Sequence, residues 1–169
     1  VRALGASLTL VALACSGRPG GQSADTTSTP APAAASTGPV ATLERTPCFG
    51  TCPVYEVSIF RDGTVRFVGK QHVKQQGGAT ATVSPAAVDS LVAELASAGY
   101  FDFADDYVMD APACGLYATD SPIVITSLTA DGRTKRIRHD YGCSGAPAEL
   151  RSLEQRIDAV AGSSRWIAR

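Results

Sequence analysis

The stretch Val54-Tyr55-Glu56-Val57-Ser58-Ile59-Phe60-Arg61-Asp62-Gly63-Thr64-Val65-Arg66-Phe67-Val68 alternates apolar and polar residues on both sides of an Asp-Gly dipeptide. Successive side chains of a strand point to opposite faces, so Tyr55, Val57 and Ile59 share one face. Asp-Gly between two such runs suits the backbone of a tight turn, which predicts a hairpin with strands over 54–60 and 64–68. The device recurs at Ile123 to Thr129, Ala130-Asp131-Gly132 and Arg133 to His139. Thr42 to Thr46 and Ala79 to Val83 read as further strands.

Helical periodicity appears in two windows. Ser84-Pro85 is an N-cap followed by proline at the first helical position, and Val88, Leu91, Val92 and Leu95 then recur at helical spacing up to Gly99. A second helix starts at Pro147, carries Leu150, Leu153, Ile157 and Val160 on one face, and stops at Gly162. Two amphipathic helices among antiparallel hairpins predict an α+β fold: one antiparallel sheet built from hairpins, with both helices packed on a single face. Trp166, after the second helix, is expected to close the core.

The chain has 169 residues, 44% hydrophobic and 18% charged, with a formal net charge of −1. One domain is the natural count. Charges that nearly cancel exclude the broad basic field with which a protein concentrates nucleic acid, so none is expected as a partner. The charges are also unevenly spread, because Arg2, Arg18 and Asp25 are the only ones before Val40.

Residues 3–14 form an uncharged apolar run behind Arg2, shorter than the ~20 residues that span a bilayer, which is the anatomy of a secretory signal. The run ends at Leu13-Ala14-Cys15-Ser16, which resembles a bacterial lipoprotein cleavage box, with Ala12 in place of the more usual leucine. That resemblance implies that Cys15 becomes the lipidated first residue, and that Ser16 directs the chain to an outer membrane facing the periplasm. Residues 16–41 are Gly, Ser, Thr, Pro and Ala with almost no large apolar side chain, and such a segment cannot offset its ordering entropy by burial. The expected organisation is a signal peptide over 1–14, a lipidated cysteine and disordered tether over 15–41, and one globular domain over 42–167.

Outside Cys15, four of the five cysteines remain: Cys48, Cys52, Cys114 and Cys143. In an oxidising compartment they suggest disulfides, with three possible pairings. Cys114 precedes the strand that starts at Ile123, and Cys143 follows the strand that ends near His139. Both therefore lie at the open end of the second hairpin, which predicts Cys114–Cys143 and leaves Cys48–Cys52.

The string Arg45-Thr46-Pro47-Cys48-Phe49-Gly50-Thr51-Cys52-Pro53-Val54-Tyr55, with Asp62-Gly63, Thr119-Asp120 and Trp166-Ile167, resembles an uncharacterised bacterial domain family often carried by secreted proteins and lipoproteins. The resemblance spans about residues 42–167. It implies domain limits and compartment; the family brings no catalytic residues to carry over.

Three chemistries have candidate residues. Cys48 and Cys52 could exchange thiols and disulfides, but the spacing is CxxxC and the motif leads into a strand, where no helix dipole lowers a thiol pKa. Zinc would need a histidine beside these cysteines, and the only two, His72 and His139, stand at no ligand spacing. Asp102, Asp105, Asp106, Asp110 and Asp120 are oxygen donors of the kind calcium takes, yet the EF-hand pattern is missing, so a solvated acidic face is the simpler account. The basic strand Arg133, Lys135, Arg136 and Arg138 would partly neutralise it. Asp105, Asp106, Asp120 and His72 are the remaining candidate binding residues; a pocket lined by Asp105, Asp106 and His72 would favour chemistry, and a flat surface partner binding. No catalytic triad, phosphate loop or cofactor motif stands out. The expectation is a membrane-anchored, extracytoplasmic lipoprotein whose domain binds an envelope partner without catalysing a reaction, with redox or metal binding as alternatives.

Overall fold

The computed structural model describes residues 37–167. The expected signal peptide, Cys15 and most of the tether lie outside the described residues. Seven strands form one sheet in the order β4-β3-β2-β1-β6-β7-β5. They are β1 (Ala41–Arg45), β2 (Val54–Ile59), β3 (Thr64–Gln71), β4 (Gly77–Thr82), β5 (Asp106–Tyr107), β6 (Ile123–Ala130) and β7 (Arg133–Asp140). The helices are α1 (Pro85–Ser97), α2 (Ala148–Ala161) and the short α3 (Ser164–Ile167). The fold is α+β, an antiparallel sheet of hairpin-connected strands with two packed helices.

The first hairpin turns at Gly63, whose φ of +89° and whose missing Cβ, which would overlap the Val83 carbonyl oxygen, both require glycine. The second turns at Asp131-Gly132, both with positive φ. Ser84 caps α1 by accepting a hydrogen bond from the Ala87 amide at 3.2 Å, and Gly162 ends α2 in the left-handed region.

Between the hairpins lies β1, with Leu43 opposite Val57 on one side and Thr126 on the other. A strand paired along both edges must be fully internal. Val40 and Ala41 are accordingly buried, and the Val40 amide and carbonyl bond to Ile59 and Thr129. The folded domain thus begins earlier than residue 42, because the last two residues assigned to the tether carry the start of the core.

Two local features depart from expectation. The acidic stretch contains a 3-10 turn (Tyr100–Asp102) and the two-residue β5, which pairs parallel to β7 in an otherwise antiparallel sheet. After α2, the chain turns back through α3 and sets Trp166 against Phe67, with ring centroids 4.8 Å apart. Leu91 and Leu95 of α1, Leu150 and Ile157 of α2, and the inward strand residues Leu43, Val57, Phe67, Leu128 and Ile137 share one buried core.

Candidate functional site

The inward row at one end of the sheet is not apolar. Register places Tyr55 and Val124 on either side of Arg45, and His139 beside Val124. Helix α2 lies over this row and contributes Glu154 and Asp158, one turn apart on one face.

Asp158 accepts from Arg45 Nη2 at 2.7 Å and Nε at 3.0 Å, from the Tyr55 hydroxyl at 2.8 Å, and from the Ser163 hydroxyl at 2.5 Å. Arg45 Nη1 donates to the Tyr141 hydroxyl at 3.1 Å, and that hydroxyl donates to Glu154 Oε2 at 2.8 Å. Glu154 Oε1 lies 2.7 Å from His139 Nδ1, with the two side chains 1% and 3% exposed. The result is one continuous hydrogen-bonded chain from Ser163 to His139. Burial raises the Tyr55 phenol well above the usual tyrosine range, with Asp158 adding to the shift, so it stays a donor at neutral pH. Burial works against the charge of Arg45, but the Tyr55 oxygen, which accepts from Arg45 Nε at 2.9 Å, and the Asp158 carboxylate outweigh it and hold the guanidinium charged.

This network sits at the roots of two loops. Arg45 and Tyr55 flank the loop closed by the Cys48–Cys52 disulfide, with Cα atoms 5.8 Å apart. His139 and Tyr141 lead into Cys143, which is bridged to Cys114 with Cα atoms 4.7 Å apart. The loops are joined by the Phe49 amide, which donates to the Asp120 carbonyl at 3.1 Å. Tyr117 and Cys143 form a β-bridge between the segments that the second disulfide links. On these clamped loops Phe49 is 88% exposed and Leu116 is 82% exposed, with Tyr117 partly exposed.

The acidic candidates fall elsewhere. Asp105 pairs with Lys135 at 2.6 Å and Asp106 with Arg138 at 2.5 Å, at the β5 edge. The hydrogen bond from Arg138 holds the Asp106 carboxyl below its usual range. His72 follows β3, and three strands separate β3 from β7. Asp105 and Asp106 are therefore not brought together with His72, because the sheet order divides them, and a pocket of the three is not assembled. Asp120 stands instead beside Phe49. Among the described residues no three metal-ligating side chains cluster, and the four described cysteines are bonded to one another in pairs.

A cleft of about 360 Å³ borders the same network, lined by His139, Cys143, Pro147, Arg151, Ser152 and Gln155. Arg151 stacks over the Tyr141 ring at 3.9 Å from its centroid. His139 has its Nδ1 committed to Glu154, and among the described residues no hydroxyl or thiol is bonded to the ring.

The network left readable traces in the sequence. Arg45 and His139 occupy inward positions of alternating strands, and Glu154 interrupts the apolar stripe of α2, three residues before Ile157 and four after Leu150. A charge at an inward position calls for a partner. Which charge meets which is set by register and helix placement.

A family model described as a domain of unknown function, DUF6438, matches residues 39–161. The chain belongs to the DUF6438 family. The matched span opens two residues before β1 and closes with α2, so the DUF6438 domain holds both disulfides and every member of the polar network except Ser163, while Trp166 lies beyond the match. No curated protein matches the chain significantly.

Proposed function

We propose that the domain is a non-catalytic protein-binding module, carried outside the cytoplasm on a lipid anchor at Cys15, and that it binds through the disulfide-clamped end of its sheet. The observation that carries the reading is Phe49, 88% exposed on a ring closed by Cys48–Cys52 and tied to the Asp120 carbonyl. A large aromatic held rigid in water has little freedom left to lose on association, which is the character of an interface anchor. Leu116 and Tyr117 extend the apolar contact, and the carboxylates of Asp140 and Asp120 beside Tyr117 give it an acidic flank. The matching partner is an envelope protein with an apolar pocket edged by basic groups. Two disulfides agree with an oxidising compartment.

Two measurements test this reading. A photo-crosslinking residue at position 49 in producing cells is expected to trap one defined protein, with the adduct lost when Leu116→Asp is added and absent when the crosslinker stands at Thr129. Adducts to lipid alone, or equal adducts from both positions, would overturn it. Cells fed labelled palmitate are expected to incorporate the label into the wild-type chain and not into Cys15→Ser; a wild-type chain without label would remove the anchor.

A rival reading is favoured only by the position of the half-buried Cys48 and Cys52 at the base of the exposed residues 49–51, where an external thiolate would have to reach the bond. A reduction potential near about −200 mV, with turnover of a dithiol, would replace binding by thiol-disulfide exchange, whereas a value below about −300 mV marks a structural bridge.

A further inference from the structure

The two edges of the sheet are managed differently. At one edge β5 is two residues long, with the ion pair Asp106–Arg138 on it and Asp105–Lys135 just before it, devices that discourage pairing with another strand. At the other, β4 is Gly77-Gly78-Ala79-Thr80-Ala81-Thr82, six residues with no charge and no proline, and its register with β3 is regular from end to end. Gly77, Gly78, Thr80 and Thr82 are exposed.

The hydrogen-bond phase of β4 follows from its last contact. The Val83 amide donates to the Gly63 carbonyl at 2.9 Å, one step beyond the Thr64–Thr82 pair. Bonding alternates along an antiparallel ladder, so Ala81, Ala79 and Gly77 direct their backbone groups to β3, and Thr82, Thr80 and Gly78 direct theirs to the open side. No backbone bond to another described segment occupies these outward groups. Gly78 has an ordinary φ, and a Cβ built there would meet nothing within 4 Å, so neither conformation nor packing among the described residues calls for glycine. Glycine inside a strand commonly marks the close approach of another backbone.

We propose that β4 pairs antiparallel with β4 of a second copy of this chain, about a two-fold axis through Thr80, to join two sheets into one. The outward triplet is self-complementary in this register: Thr80 faces Thr80, and Gly78 faces Thr82 in both directions. Each of these three pairs exchanges two backbone hydrogen bonds. The side chains agree, because cross-strand Thr-Thr pairs are favourable, Ala79 meets Ala81, and no like charges face each other. A two-fold axis makes the interface closed, so pairing stops at two copies. The Phe49 loop joins β1 to β2 and β3 stands between β2 and β4, so Leu116→Asp, which abolishes partner binding at that loop, is expected to leave this pairing intact.

The test uses the full chain and reads its mass by sedimentation, beside non-reducing gels of cells that produce Thr80→Cys. The wild type is expected at twice the single-chain mass. Thr80→Pro removes only an outward amide, which edge strands tolerate, and Thr80→Lys places two ammonium groups against each other; both are expected to halve the mass while the circular dichroism spectrum is retained. Thr80→Cys is expected to run as a covalent dimer that reduction splits, since facing residues of a hydrogen-bonded pair lie about 5.5 Å apart at Cα, within the span of a disulfide. A wild type at single-chain mass overturns the proposal, as does a folded Thr80→Pro variant that stays dimeric. Thr80→Cys linked to a different protein overturns self-pairing and assigns the edge to another strand.

Discussion

Asp158→Ala is expected to destabilise the domain by roughly 3–5 kcal/mol, the range for breaking a buried charged pair by removing one partner. The size follows from what is left behind. Arg45, with its side chain 18% exposed, loses the acceptor of two of its donors, and Tyr55 and Ser163 lose their acceptor as well. An uncompensated charge in a low-dielectric site costs more than the original pair contributed. For a domain of this size the shift in Tm is about 10–18 °C. Adding Arg45→Met to the alanine variant is expected to recover part of the loss, because the orphaned charge goes with it; a double-mutant cycle in urea measures that coupling. Asp158→Asn, which keeps an acceptor oxygen for Tyr55 and Ser163, should lose less than the alanine variant. If Asp158→Ala costs under about 1 kcal/mol, the chain from Ser163 to His139 does not fasten α2 to the sheet, and the surface salt-bridge scale applies instead.

The second large effect is expected from Cys114→Ser with Cys143→Ser. These cysteines are separated by 29 residues in sequence, and loss of that closure from the unfolded chain corresponds to about 3–4 kcal/mol. The Cys48–Cys52 ring has a separation of 4, for which the same argument yields only about 2 kcal/mol. Urea unfolding of the two double variants against the wild type should therefore rank the long bridge above the short one. Binding should rank them the other way, since freeing Cys48 and Cys52 releases the Phe49 tip while the core stays folded. A greater stability loss from the short ring would contradict the chain-entropy account and place strain or native-state packing first.

The edges of the sheet and the polar network obey different degrees of locality. Asp62-Gly63 and Asp131-Gly132 announce both hairpins because turn backbone depends on the residues in the turn. Ser84-Pro85 and Gly162 announce helix limits for the same reason. Cys114 and Cys143 could be assigned to one end of a hairpin because the strands between them fix where both must emerge. The candidate site was legible only in fragments. Arg45, His139 and Glu154 each stood at a position whose pattern called for an apolar residue, but their partners lie on other elements, and Asp158 is 113 positions from Arg45 in sequence. Asp105, Asp106 and His72 looked like a group because they are acidic or ligating residues in a chain with few histidines. The strand order β4-β3-β2-β1-β6-β7-β5 separates them.

By itself the sequence determined the α+β class, the two hairpins, both long helices and the faces they bury, since each follows from a short-range period of two or 3.6 residues and from local turn chemistry. Only the tertiary structure decided that β1 sits between the hairpins, that β5 closes one edge in parallel while β4 leaves the other open, and that an acid pair on α2 lands on Arg45 and His139. Strand order and helix placement depend on contacts between residues far apart along the chain, and no local periodicity records them.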